Sequence, residues 1–150
     1  MKTSNTHYLS GFLAILILLG LCAAIFPVSA TIFISDGTEI EETELFSLMD
    51  EPVSDEIPRV LFFYDPDCGA CEPVHEFLDT FLEDNPDTIL ESINIADGSE
   101  EMDRFTAMKN EFNREKVFIP VIYIGPVAFE GTEDIMTYFE DVYAWYMNNF

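Results

Sequence analysis

The sequence predicts an α/β protein in which helices cover both faces of a mixed β-sheet. Residues 59–64 are apolar almost throughout, which is typical of a strand buried on both faces. Short segments of this kind alternate along the chain with apolar stripes of helical spacing, such as Val74, Phe77, Leu78 and Phe81. A chain of 150 residues is long enough for one domain with a sizeable core.

The elements before the central strand are short. Residues 31–34 are predicted as a first strand, and Asp36-Gly37 marks the turn that follows it. Thr43 is predicted as the N-cap of a short helix that ends before Pro52. Residues 50–58 contain two prolines and four acidic residues, so they are expected to form a loop before the buried strand.

A helix is predicted directly after the buried strand, over residues 68–83. Pro73 lies in its first turn, where a missing N–H costs little, and Asn85-Pro86 ends it. A strand at 88–95 follows, with isoleucines at alternating positions. The turn Asp97-Gly98-Ser99 then begins another helix.

The last elements are a hairpin and a helix. Residues 117–124 are predicted as a strand interrupted by Pro120, and the turn Gly125-Pro126 leads to a partner strand at 127–129. Gly131-Thr132 begins a final helix whose apolar face carries Ile135, Phe139, Val142 and Trp145 or Tyr146. The predicted order is therefore β-α-β-α-β-α-β-β-α.

The first 30 residues have the pattern of a secretory signal peptide. Phe12 to Phe26 is an unbroken run of apolar residues and glycine, and Val28-Ser29-Ala30 resembles a small-residue cleavage site. Cleavage is predicted after Ala30, and the alternative is retention of residues 12–28 as an N-terminal membrane anchor. In either case we expect an exported protein, secreted or tethered, with its folded domain at residues 31–150.

The exported domain is strongly acidic. All 29 acidic residues follow Ala30, with five basic ones, which gives this part a formal charge of −24. Nucleic acid is excluded as a partner because too few cations are present to neutralise phosphates. Two interpretations of the acidity stay open: a solvated surface that maintains solubility, and electrostatic selection of basic partners. Repulsion between copies disfavours close association at low salt, so we expect a monomer.

The chemistry is predicted at Cys68-Gly69-Ala70-Cys71, directly after the buried strand. Cys22 lies in the signal segment, so these two thiols are the only cysteines of the exported domain. A disulfide between them would close a loop too small to constrain the unfolded chain much, which favours a working role over a structural one. We expect Cys68 at the start of the helix, where N–H groups favour a thiolate, and Cys71 buried one turn inside.

A second signal lies about fifty residues later, at Ile119-Pro120. Proline cannot donate to a sheet, so within a strand-like segment it needs a special reason, and a cis peptide bond is one. The strand–Cys-x-x-Cys–helix order, the sequence Phe-Ile-Pro-Val-Ile-Tyr-Ile-Gly and the sequence Val-Ala-Phe-Glu-Gly together resemble the thioredoxin superfamily, specifically its exported thiol–disulfide oxidoreductases. The resemblance covers residues 57–149.

This resemblance implies a three-layer α/β/α sandwich with a mixed central sheet. It implies that Cys68 is the attacking thiolate, that Cys71 is the resolving thiol, and that the two form a reversible Cys68–Cys71 disulfide. Pro120 would be the cis-proline beside that disulfide. The residues expected to contact substrate are Asp67, Gly69, Ala70, Ile119 and Pro120.

The resemblance also indicates the kind of partner. It implies no cofactor and no metal, and the partners would be exported proteins with thiols or disulfides. A membrane thiol oxidoreductase is a candidate electron partner.

Departures from the family pattern point to the reducing side of thiol exchange. Phe62 stands where thioredoxin has a buried acid, Asp67 stands where it has tryptophan, and Gly69-Ala70 contains no cation to stabilise a thiolate. Asp65, Asp67 and Glu72 add negative charge around the first cysteine, which opposes the helix dipole. We therefore expect a couple that is more reducing than the strongly oxidising exported enzymes.

The alternative function is Cu(I) binding by the same two thiols. Cu(I) needs only two thiolates, whereas a closed zinc site needs four ligands and the exported domain offers one further nitrogen ligand, His75. His75 is interpreted as a boundary residue, a proton acceptor for Cys71 or a soft-metal ligand. A third interpretation, a non-catalytic binding domain, is disfavoured because both cysteines are present.

Overall fold

The computed structural model describes residues 31–52 and 58–149. The predicted signal peptide or anchor lies outside these residues, as does part of the predicted loop at 50–58. Within the described part of the chain, no helix combines the length and apolarity needed to cross a bilayer.

Six strands form one mixed sheet in the described part of the chain. They are β1 (Thr31–Ile34), β2 (Glu39–Ile40), β3 (Val60–Tyr64), β4 (Glu91–Asn94), β5 (Val121–Ile124) and β6 (Val127–Glu130). Their order across the sheet is β2-β1-β6-β5-β3-β4. β3 and β4 are parallel, and every other neighbouring pair is antiparallel.

Helices lie on both faces of this sheet. They are α1 (Glu42–Leu48), α2 (Glu72–Asp84), α3 (Ser99–Glu111) and α4 (Thr132–Asn149). Buried side chains of α1, α2 and α4 belong to one apolar cluster, whereas those of α3 belong to a second cluster on the opposite face. The prediction of an α/β protein with a mixed central sheet is confirmed.

The apolar character of β3 follows from its place in the interior of the sheet. Successive side chains of a strand point to opposite faces, and both faces are covered here. Val60 and Phe62 therefore belong to the cluster shared by three helices, whereas Phe63 belongs to the cluster beneath α3. All three are buried. Burial of one such side chain stabilises the fold by about 1.5–3 kcal/mol.

One predicted boundary near the hairpin is wrong, and one strand near the N-terminus was not predicted. The strand expected at 117–124 begins only at Val121, because Pro120 before it has no N–H to donate to a neighbouring strand. β2 was not predicted, because two residues are too few to show an alternating pattern. It pairs with β1 through Ile40 opposite Ile32.

Two further predictions were wrong because hydrogen bonds from backbone N–H groups to side chains change where a helix or strand begins. The N-cap of α1 is Glu41 and not Thr43. The Glu44 carboxylate accepts a hydrogen bond from the Glu41 N–H at 3.0 Å, as in a capping box. The strand expected at 88–95 is shorter, because the Ile89 N–H donates to the Tyr143 hydroxyl at 3.0 Å.

Replacement of Gly125 by alanine is expected to destabilise the protein. Gly125 has a φ of 51°, and a Cβ there would lie directly on the buried ring of Tyr146. The left-handed backbone alone costs a non-glycine residue about 1–2 kcal/mol, and the overlap adds to this cost. Urea denaturation measures the free energy of unfolding.

The matched control for this substitution is Gly69→Ala. A Cβ at Gly69 meets no atom within 4 Å, so the free energy of unfolding should change by no more than about 0.5 kcal/mol. Equal stability of the two variants would contradict the packing described for Gly125.

Candidate active site

The two cysteines lie in a turn between β3 and α2. Asp65, which directly follows Tyr64 at the end of β3, holds this turn in two ways. Its carbonyl oxygen accepts a hydrogen bond from the Cys68 N–H at 3.0 Å, and its Oδ1 accepts one from the Asp67 N–H at 2.8 Å. The Cys71 N–H then donates to the Cys68 carbonyl at 2.9 Å, so the cysteines lie at the two ends of one turn.

The start of α2 corrects one prediction. α2 begins at Glu72 with Cys71 as its N-cap, so Cys68 lies one turn before the helix and Cys71 lies at its boundary. Pro73 occupies one of the first two helical positions, where no N–H is required. The dipole of a helix acts mainly on its terminal turn, so Cys68 gains less from it than the sequence indicated.

The two thiols differ in exposure. Cys68 is half-buried, whereas Cys71 is 1% exposed, and both are free thiols in this structure. Burial raises the pKa of the Cys71 thiol to about 12, and the hydrogen bond with the Cys68 thiol acts in the same direction. The prediction that Cys71 is the buried thiol of the pair is confirmed.

A proline loop lies beside the first cysteine. The peptide bond between Ile119 and Pro120 is cis. Cys68 Sγ lies 3.9 Å from the Ile119 carbonyl oxygen, within the reach of a weak S–H donor. Pro120 is buried and Ile119 is half-buried, but the preceding residue, Phe118, is 65% exposed. The fold thus brings together two chain segments that are fifty residues apart in the sequence.

The remaining predicted substrate contacts lie in the cysteine turn. Asp67, Gly69 and Ala70 are all exposed. Asp67 and Gly69 line a cavity of about 340 Å³ together with both cysteines. Ala70 does not line this cavity, and its carbonyl oxygen accepts a hydrogen bond from Thr132 Oγ1 at 2.7 Å.

The cavity beside the cysteines is acidic. Asp65, Asp67 and Glu72 line it, and its described lining contains neither lysine nor arginine. The negative charge around Cys68 that the sequence predicted is therefore present in the folded site.

His75 lies on the inner side of the same cavity. Its ring packs edge-on against Tyr64, with ring centres 4.0 Å apart, and against Phe62 at 5.2 Å. Its Nε2 is buried and has no hydrogen-bond partner. This position fits a boundary residue that packs against the core. Among the described residues, no group of three histidine, cysteine or acidic side chains is placed to hold a metal ion.

Sequence reasoning placed the start of the last helix at Gly131-Thr132 but missed the burial and the contacts at this junction between β6 and α4. Glu130, at the end of β6, is 8% exposed, and its Oε2 has no hydrogen-bond partner. Burial raises the pKa of the Glu130 carboxyl, although the Phe118 N–H and the Arg114 guanidinium act in the opposite direction. The next residue, Gly131, donates its N–H to the Pro120 carbonyl at 2.8 Å.

A sequence signal for this junction exists only in part. Glu130 lies two positions after Ala128, on the face of β6 that packs beneath α3. Strand alternation therefore assigns it to a buried face, but its charge and its terminal position favour exposure.

No family model matches the chain, and no curated protein matches it either.

Selective alkylation tests the difference between the two thiols. In the reduced protein at about pH 8, iodoacetamide is expected to modify Cys68 much faster than Cys71, because Cys71 is buried and its raised pKa keeps it protonated. Peptide mapping by mass spectrometry locates the modified cysteine. In concentrated urea the two should react at similar rates, and faster modification of Cys71 in the folded protein would contradict the structure.

Glu130→Gln is expected to gain stability relative to the wild type as the pH rises from about 4.5 to 7. The raised pKa means that the folded state holds the Glu130 proton more tightly than the unfolded state, so wild-type stability is lost as this group ionises. Glutamine has no proton to lose. The measurement is the free energy of unfolding of both proteins at several pH values.

Glu111→Gln is the control with the opposite sign. The Arg59 guanidinium lowers the pKa of Glu111, so the ionised carboxylate stabilises the wild type above a pH of about 4.5, and this stabilisation is lost as the pH falls below that value. This variant should therefore lose stability relative to the wild type as the pH rises to about 4.5, and the difference should change little from there to about pH 7. If Glu130→Gln instead shifted as Glu111→Gln does, the assignment of Glu130 as a buried, poorly partnered acid would be wrong.

Proposed function

We propose that the protein is an exported thiol–disulfide oxidoreductase of the thioredoxin type. It exchanges the Cys68–Cys71 dithiol and disulfide with cysteines of other exported proteins. The observation that carries the proposal is the pairing of an accessible Cys68 with a buried Cys71 at the ends of one turn, with the Ile119 carbonyl 3.9 Å from the accessible sulfur. Helices on both faces of a mixed sheet support a thioredoxin-like sandwich.

In the reducing direction the exchange has two steps. The Cys68 thiolate attacks one sulfur of a substrate disulfide, and a mixed disulfide forms while the second substrate sulfur leaves and takes up a proton. Cys71 then loses its proton and attacks the Cys68 sulfur. The Cys68–Cys71 disulfide forms, and the first substrate sulfur leaves as a thiol. The substrate gains two electrons and the protein loses two, so a further thiol donor must restore the dithiol.

The order of the two cysteines follows from their surroundings. A substrate sulfur can reach Cys68, which is half-exposed, but it cannot reach Cys71. The raised pKa of Cys71 keeps its thiol protonated while Cys68 is free, so Cys71 does not compete as a nucleophile. In the mixed disulfide the Cys68 thiol is consumed and no longer raises that pKa, which prepares Cys71 for the second step.

The charge around the site favours the reducing side. The carboxylates of Asp65, Asp67 and Glu72 line the cavity beside the cysteines, and its described lining contains no lysine or arginine. Strongly oxidising pairs depend on stabilisation of their reduced form, and this lining offers no cation to supply it. A cysteine pair whose reduced form is not stabilised acts as a reductant. We propose a membrane thiol oxidoreductase as the donor that restores them, and exported proteins with disulfides as substrates.

Export and monomeric state complete the proposal. They rest on the apolar segment at 12–28, on the small-residue site before residue 31, and on the charge of −24 that keeps copies apart at low salt.

A redox titration of the full 150-residue chain tests the function. The protein is equilibrated in thiol–disulfide buffers, alkylated and weighed, and the number of free thiols is read from its mass. We expect a reversible two-electron couple with a low midpoint potential, because no cation in the described lining of the site stabilises the reduced form. Cys22→Ser should leave the couple unchanged, whereas Cys68→Ser and Cys71→Ser should each abolish it.

The outcomes separate the proposed function from its alternative. A reversible couple with a high midpoint would keep thiol exchange and overturn the reducing direction. A chain that forms no reversible disulfide would contradict the proposal. If such a chain bound one Cu(I) through Cys68 and Cys71, the alternative of a Cu(I)-binding module would hold instead.

A further inference from the structure

Two adjacent residues at the junction between β6 and α4 hold opposite sides of the site. The Gly131 N–H donates to the Pro120 carbonyl at 2.8 Å, in the proline loop. Thr132 Oγ1 donates to the Ala70 carbonyl at 2.7 Å, in the cysteine turn. The proline loop and the cysteine turn are therefore bound to the same short piece of backbone.

The Thr132 hydroxyl donates its hydrogen bond to the cysteine turn and not to a carbonyl of its own helix. Thr132 is the first residue of α4, and its single hydroxyl proton is committed to a carbonyl 62 residues earlier in the chain. Thr80 and Thr137 behave differently, because each donates to the carbonyl four residues before it in its own helix, at 2.9 Å and 2.7 Å. A threonine hydroxyl within a helix ordinarily makes this local bond.

The distance between the Cys68 sulfur and the proline loop depends on this junction. Cys68 Sγ lies 3.9 Å from the Ile119 carbonyl. Ile119 precedes the residue that Gly131 holds, and Ala70 lies between the two cysteines. A shift of the cysteine turn relative to the junction would thus change the separation between the sulfur and the proline loop directly.

We propose that Thr132 is a positioning residue for disulfide exchange with polypeptides. Its hydroxyl fixes the cysteine turn against the proline loop, so that a bound polypeptide meets the Cys68 sulfur and the Ile119 backbone together. The inference rests on the proposed function. A polypeptide disulfide uses both sides of the site, whereas a small alkylating reagent needs only the exposed sulfur, so loss of the hydroxyl should slow the first reaction and spare the second.

The experiment compares variants of the full chain in two reactions. The probes are a short peptide that carries a cysteine in a mixed disulfide, and iodoacetamide. Thr132→Ala is expected to react with the peptide about fivefold more slowly, the factor that one neutral hydrogen bond supplies. Thr132→Val keeps the branched shape without the donor and should match Thr132→Ala. Thr132→Ser keeps the donor and should react as the wild type does.

Thr137→Ala is the matched control, because it removes a hydroxyl of the same helix that makes only a local bond. It should leave both reactions unchanged, and iodoacetamide should modify Cys68 at the same rate in every variant. The positioning role is overturned if Thr132→Ala equals Thr137→Ala, if Thr132→Ser is equally slow, or if alkylation slows by the same factor. A wild-type protein that is inert towards the peptide disulfide would overturn the proposed function itself, and this result is visible without any variant.

Discussion

The structure depends on the burial of β3 from both sides. Phe62 and Phe63 are each fully buried, but they point into different clusters, one beneath three helices and one beneath α3. A shift of one residue in register would exchange every side chain between the two faces, so the packing of these rings fixes where the strand ends. Because the cysteine turn begins directly after that end, core packing also decides where the thiols emerge.

The sequence predicted those parts of the molecule that depend on local pattern. The near-continuous apolar run of β3 and the helical stripe of α2 were sufficient to predict the strand, the helix and the cysteine turn between them. Contacts between distant residues carry no local signal. The bond from Thr132 to Ala70, the late start of β4 after the bond from Ile89 to the Tyr143 hydroxyl, and the burial of Glu130 all became visible only when the fold brought their partners together.

The two thiols of the site lie in different electrostatic surroundings. Cys71 is buried next to the Cys68 thiol, so its own ionisation is strongly disfavoured. Carboxylates line the cavity beside Cys68, and the helix start lies farther from this cysteine than its sequence position indicated. The pair therefore consists of one accessible sulfur beside an acidic cavity and one buried thiol that stays protonated.

The exposed ring of Phe118 gives the net negative charge of the chain a further consequence, which concerns self-association. This ring is 65% exposed beside the proline loop, and a bare aromatic side chain of this kind is a point at which identical molecules can adhere to one another. Each copy, however, carries a strong negative charge that repels the next over roughly 10 Å at moderate ionic strength. This electrostatic repulsion does not act on a neutral or basic molecule. The net negative charge therefore opposes contact between the Phe118 rings of two copies while it leaves the ring exposed.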